Sequence, residues 1–186
     1  MPISAKQSTC GACLKETPIF NSTIAAFHYE PPISDFIQNL KYQSNFTANE
    51  LLANALVNKL RIYYRDETLP QQIIPVPLHR LRVLKRGFNQ ANEIAKHLSI
   101  AFNIPINNQA ISRAVSTPPQ ADLSAAQRKS NLRRAFQVNR KPPAHCAIVD
   151  DVVTTGSTAN AVAKALIKAG ANKVDVWCLA RAFPVD

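Results

Sequence analysis

The chain has 186 residues, 46% of them hydrophobic, which suits one α/β domain with a core, is too short for two large domains and argues against disorder. Lys and Arg number 22 against 12 Asp and Glu, for a formal net charge of +10. Such a surface draws polyanions (nucleic acid, phosphorylated metabolites or an acidic membrane face), and a merely solvated basic surface has the same composition. The sequence contains no run of about 18–20 apolar residues and no basic-then-apolar N-terminus, so a cytoplasmic protein without a membrane span is expected. Of the four cysteines only Cys10 and Cys13 are close together, which argues against a disulfide-rich secreted fold.

Residues 1–22 read as a small appendage carrying Cys10-Gly11-Ala12-Cys13, with the domain proper spanning 23–186. A short strand is predicted over 24–29, ending at Pro31-Pro32. Ile33, Phe36, Ile37 and Leu40 recur at helical spacing within 33–43, and a longer helix over 48–63 sets Leu52, Leu56 and Leu60 on one face. Residues 73–77 form an abrupt apolar strand whose prolines suit its end or a sheet edge. A basic loop, 78–88, leads into a helix over 89–102 with Ile94, Ala95, Leu98 and Ala101 or Phe102 inward, Asn89 as its cap, and Asn103 and Pro105 as its stop.

A short strand and turn follow at 105–114, then a long polar stretch at 115–134 with a short helix over 122–129. Strands are predicted at 135–138, 145–149 and 174–180, and a helix at 157–169 with Gly170 as its C-cap. This alternation predicts an α/β fold: a mainly parallel twisted sheet flanked by helices on both faces, with no internal repeat.

Chemistry concentrates at Asp150-Asp151-Val152-Val153-Thr154-Thr155-Gly156-Ser157-Thr158. A buried strand would deliver two carboxylates at its C-terminal end, where open α/β sheets take ligands. The Thr-Thr-Gly-Ser-Thr loop can wrap N–H groups and hydroxyls around a phosphate, Gly156 permits a positive φ, and the helix starting near Ser157 turns its positive end to the same anion. The carboxylates would repel that phosphate, so they make sense facing hydroxyls or a divalent cation. A ribose 5-phosphate meets both needs, with Mg²⁺ neutralising a diphosphate on C1. Neither the Gly-Lys-Ser/Thr ending of a Walker loop nor a Gly-x-Gly-x-x-Gly stretch is present. An ordinary strand–loop–helix with polar capping is the plain alternative.

Residues 147–159 resemble the phosphoribosyl-diphosphate (PRPP) signature of type I phosphoribosyltransferases. The block Pro75-Val76-Pro77-Leu78-His79-Arg80-Leu81-Arg82-Val83-Leu84-Lys85-Arg86-Gly87-Phe88-Asn89-Gln90 resembles the ComF family, the late-competence proteins associated with bacterial DNA uptake. Lys41-Tyr42, and Gln120-Ala121-Asp122-Leu123 followed by Arg128, Asn131 and Phe136, fit the same family, so the likeness runs from about 24 to 183. It implies a PRPP site with Mg²⁺, transfer of ribosyl 5-phosphate to an unidentified nucleophile such as a nucleobase nitrogen, and a flexible lid at about 113–134. Water would be excluded when the lid closes.

Arg80, Arg82, Lys85, Arg86 and one of Arg133 or Arg134 are the candidates for holding diphosphate, since Arg offers a rigid fork to phosphate oxygens, and His79 is a further donor. Arg113, Gln120, Arg128 and Asn131 would reach a ligand when the lid folds down. Phe27, Tyr29, Trp177 and Phe183 are the aromatics available to a base-recognising hood, although Trp177 suits the core equally.

Cys10 and Cys13 have the spacing of half a Zn²⁺ site. ComF proteins commonly begin with a four-cysteine zinc module, and this chain carries one pair of it. Completion would need His28 or a second subunit. Two unmetallated thiols are the plain alternative, and thioredoxin-like chemistry the weaker one. Two functions follow: an active phosphoribosyltransferase, or a competence factor that binds single-stranded DNA or partner proteins and uses the fold as scaffold or PRPP sensor. A homo-oligomer stays open, and no helix–turn–helix pattern points to operator binding.

Overall fold

A computed structural model describes residues 17–40, 46–78, 87–113 and 135–182. The elements in order are β1 (Ser22–His28), α1 (Ile33–Leu40), α2 (Phe46–Tyr63), β2 (Gln72–Pro75), α3 (Gln90–Phe102), β3 (Ile111–Arg113), β4 (Phe136–Val138), β5 (His145–Val153), α4 (Ser157–Lys168) and β6 (Lys173–Arg181). Four strands form one parallel sheet in the order β1-β6-β5-β2, and β3 and β4 pair antiparallel beside it.

The two inner strands show why the sheet is covered on both faces. Cys146 and Ile148 of β5, with Val174, Val176 and Cys178 of β6, join the cluster beneath α4. Ala147 and Val149, with Trp177 and Leu179, join the cluster beneath α1, α2 and α3. Alternate side chains therefore meet helices on opposite faces, and β6 is buried from Val174 to Ala180. The expected α/β class is the one observed.

Several boundaries differ from expectation. β1 begins at Ser22, two residues before its expected start, and Phe20 just ahead of it is 6% exposed in the core. Helix α1 ends at Leu40, and its Phe36, expected inward, is 53% exposed because Ile37 takes the buried position. Strand β2 stops at Pro75, whose missing N–H falls on the side away from β5, where Ile73 N–H donates to Pro105 O at 2.9 Å. The 105–114 stretch yields three strand residues and a single parallel bridge, Ile106 to Ile73. Strand β5 runs to Val153, four residues past the expected end, because β6 pairs with it through Val152–Ala180 and Val153–Arg181. Helix α4 ends with Ala169 as cap, and Gly170 follows at φ 113°.

The expected capping of α3 is present. Asn89 accepts from the Ala91 N–H at 3.2 Å, and Asn103 closes the helix at φ 54°.

Chain direction opens a crevice between β2 and β5. After β2 the chain passes outward through α3 to the Ile106 bridge, whereas after β5 it turns inward through α4 to β6. These neighbouring strands part at their C-terminal ends, which is where parallel α/β sheets leave room for a ligand.

At the opposite end of the sheet lies a buried polar network. Asp175, 0% exposed, accepts from Ser22 Oγ at 2.6 Å and Tyr64 OH at 2.8 Å, and lies 2.7 Å from His145 Nε2. Trp177 Nε1 donates to Tyr64 OH at 3.0 Å. Trp177 is fully buried there, so it is core and not part of a ligand hood. Phe27 and Tyr29 pack partly buried against the same core, and Phe183 lies outside the described residues. Burial and the Asp175 carboxylate both push the Tyr64 phenol upward.

Candidate functional site

The two carboxylates stand in the second half of β5. Pairing Asp150 with Cys178 in register places them level with the end of β6, both half-buried. Asp150 Oδ1 accepts from the Asp151 N–H at 2.9 Å, and Asp151 Oδ1 from the Val152 N–H at 2.8 Å. Each side chain is thus fixed against its own backbone. Beyond them Val153 is core, 3% exposed, and its carbonyl accepts from the Ala182 N–H at 2.9 Å. Val153 in one core cluster and Val152 packed against the other anchor the turn.

Residues 154–158 then reverse into α4. Gly156, at φ 75°, caps the helix without a side-chain bond. A Cβ there would lie 3.7 Å from the Phe20 ring, an ordinary contact, so the backbone angle and not space calls for glycine. Thr154, Thr155 and Ser157 are exposed and Thr158 is half-buried. The Thr155 and Ser157 hydroxyls lie 2.8 Å apart. Asp150 and residues 152–159 line an open concavity of about 50 Å³. That is far below the ~300–1,000 Å³ of a whole small-molecule pocket and suits one anionic group at the positive end of a helix.

The donor set fits a hard cation. Mg²⁺ takes one or two carboxylates and fills its other positions with waters and phosphate oxygens, so the Asp150–Asp151 pair is a sufficient protein contribution. Among the described residues no group of three or more His, Cys, Asp and Glu converges as a metal cage.

Cys146 and Cys178 are free, buried thiols on the inner strands. Burial, then the Asp175 carboxylate, pushes Cys146 up to about 12. Burial and then Asp150 do the same to Cys178, also to about 12. Neither is a nucleophile at neutral pH.

The basic loop meets this site at its ends. Val76 N–H donates to Val149 O at 2.9 Å, and Asn89 Nδ2 donates to Val76 O at 3.0 Å. The loop therefore leaves and re-enters the fold beside the residue preceding Asp150. His79, Arg80, Arg82, Lys85 and Arg86 themselves lie outside the described residues, as do Cys10, Cys13, Lys41, Tyr42, Gln120 to Leu123, Arg128, Asn131, Arg133 and Arg134.

Arg113 is described: it pairs with Phe136 at the mouth of the β3–β4 hairpin, its guanidinium 5.6 Å from that ring. The 114–134 stretch therefore hangs from a closed two-strand base. One residue that sequence reading missed is Arg181, which pairs with Val153 and brings a cation to the carboxylate end of the sheet. Only the register, three residues beyond the partner of Asp150, reveals it.

The phosphoribosyl transferase domain family matches residues 81–182. Competence protein F of Haemophilus influenzae is 41% identical over 179 residues, covering 93% of this chain and 78% of that protein. The DNA utilization protein YhgH of Escherichia coli is 36% identical over 185 residues, covering 97% and 81%. A purine phosphoribosyltransferase from Pyrococcus horikoshii aligns in structure with a TM-score of 0.40 at 21% identity, covering 71% of each chain. The chain belongs to the phosphoribosyl transferase domain family and, within it, to the ComF proteins. Among the described residues no helix is long and apolar enough to cross a membrane.

Proposed function

We propose that this protein binds PRPP with Mg²⁺ at the end of β5 and transfers its ribosyl 5-phosphate, releasing diphosphate, in the setting of competence and DNA utilization that its relatives' names describe. The observation that carries this reading is one small concavity lined by Asp150 and by the start of α4, whose cap residue Gly156 brings no side chain, with Asp151 fixed next along β5. In this reading the 154–158 loop and the start of α4 take the 5-phosphate through N–H groups and the Thr155, Ser157 and Thr158 hydroxyls. Asp150 and Asp151 accept from the ribose hydroxyls or hold the cation. Mg²⁺, when bound, offsets diphosphate charge. Arg80, Arg82, Lys85 and Arg86 steady the departing diphosphate, and Arg113 and Arg128 belong to the lid that excludes water. Cys10 and Cys13 remain a proposed half-site for Zn²⁺.

Calorimetric titration of Mg²⁺–PRPP into the full chain tests this, with Asp150→Asn/Asp151→Asn as control. Saturable binding is expected in the wild type and its loss in the double variant, followed by diphosphate release in the presence of an accepting base. No heat at millimolar PRPP sinks the ligand assignment.

A second reading is favoured by the charge pattern. Residues 79–86 and 114–134 hold eight of the 22 Lys and Arg and a single acid, Asp122, in the two segments whose anchored ends flank the site. A non-catalytic factor that holds single-stranded DNA would use that charge. Its affinity would fall steeply with salt, with a log–log slope of about −0.7 for each phosphate neutralised, and would survive loss of both carboxylates. A flat salt profile removes this reading.

A further inference from the structure

We infer that Ile19, Phe20 and Asn160 are positioning residues that hold the 154–158 loop in its anion-accepting shape, so that the segment entering β1 belongs to the site; its functional half rests on the phosphate reading above. Helix α4 follows Gly156, which has no side chain to cap it; Ser157 N–H donates to Thr155 Oγ1 at 3.4 Å, the N–H groups after it are open to a ligand, and the usual support of a helix start is missing. The support comes from a segment about 140 residues earlier in the chain. The edge of the Phe20 ring supplies the atoms nearest to a Cβ position at Gly156, at 3.7 and 3.8 Å, and Phe20 belongs to the buried cluster that also holds Val153, Ala159, Val162 and Cys178.

Beside it, Ile19 N–H donates to Asn160 Oδ1 at 2.8 Å, while Asn160's own N–H donates to Gly156 O, also at 2.8 Å. Asn160 thus bridges the incoming segment to the loop glycine. That segment cannot follow the loop if it moves, because Asn21 is locked to β6. Its N–H donates to Val174 O at 2.7 Å and its Oδ1 accepts from Val174 N–H at 2.9 Å. The chain of contacts runs from the rigid inner sheet through Asn21 and Ile19 to Asn160 and Gly156. Since the Ile19–Asn160 bond is solvent-exposed, losing it removes little from the core and tests the loop selectively.

The test uses the full chain carrying Asn160→Ala, Phe20→Ala or Phe20→Leu. Backbone ¹⁵N relaxation reports the order of residues 154–158, and titrations with ribose 5-phosphate and Mg²⁺–PRPP report binding. In the wild type the loop amides should show order parameters near 0.85, falling below about 0.6 in Asn160→Ala while those of β6 stay rigid. Affinity for ribose 5-phosphate should drop about tenfold with an unchanged urea midpoint. Phe20→Leu should restore most of the loop order that Phe20→Ala loses. Unchanged loop order in Asn160→Ala, or disorder spread equally over β6, overturns the inference. A wild type that binds neither ligand, yet whose loop order still depends on Asn160, leaves the strap standing and removes the phosphate reading.

Discussion

Asp175 is the side chain on which most other polar groups of the sheet's lower end depend. Its two oxygens take bonds from Ser22 and Tyr64 and face His145, and Tyr64 in turn accepts from Trp177. A carboxylate buried without these partners would be expelled, and the partners without it would be buried donors lacking acceptors. Asp175→Ala should therefore cost about 3 kcal/mol or more of unfolding free energy in urea denaturation. A loss below about 1 kcal/mol would mean that water replaces the carboxylate. None of this was legible in the sequence. Asp175 stands in an apolar run, Lys173 to Arg181, and nothing local says that Ser22 and Tyr64 fold back to it. The two acids of the candidate site differ. Asp150 and Asp151 stand at the exit of an apolar strand followed by a Thr/Ser/Gly loop, a pattern whose chemistry is local.

Among the elements, α3 and β2 are tied by one side chain. Asn89 caps α3 through Oδ1 and reaches β2 through Nδ2, so it joins the helix to the strand that borders the crevice. Asn89→Ala should cost about 2 kcal/mol, roughly 1 for the cap and 1 for the bond to Val76. Asn89→Asp keeps the acceptor and loses the donor, and should recover about half. A variant Asn89→Asp with the wild-type midpoint would show that the tie to β2 contributes nothing, and equal midpoints for the two variants would show the same of the cap.

Element types were readable because side-chain periodicity is local. The near-continuous apolar runs of β5 and β6 and the helical spacing of Leu52, Leu56 and Leu60 are both visible as sequence patterns. Their ends were not. Strand β5 outlasts its apolar stretch because β6 supplies partners for Val152 and Val153, and Phe36 is exposed because α1 meets the core along Ile37.

For the whole molecule, the two buried thiols couple stability to alkaline pH. Both are raised from 9.0 to about 12, so below pH 9 they are protonated whether the chain is folded or not. Between those limits the unfolded chain releases protons that the native state keeps. Stability therefore falls as pH rises through that window, by about 1.4 kcal/mol per pH unit for each thiol, until the native thiols ionise. Urea midpoints at about pH 8 and about pH 10 should separate for the wild type and converge in a Cys146→Ala/Cys178→Ala variant, after allowing for its lower baseline. Tyr64, raised in the same direction, extends the loss to higher pH. Equal separations in both proteins would show that the thiols do not carry the effect.

The sequence by itself determined the α/β class, the family and the position of the carboxylates and of the Thr154–Thr158 loop, since each is written in a contiguous stretch whose residue types set its backbone and chemistry. Tertiary structure alone decided which strands adjoin and where the crevice opens. It also decided that Arg181 reaches the acids' end of the sheet, that Trp177 is core, and that Ile19 and Phe20 brace Gly156 through Asn160. The reason is separation along the chain. These contacts join residues that only the pairing of β1, β6, β5 and β2 brings together, and no local pattern records a partner 141 positions away.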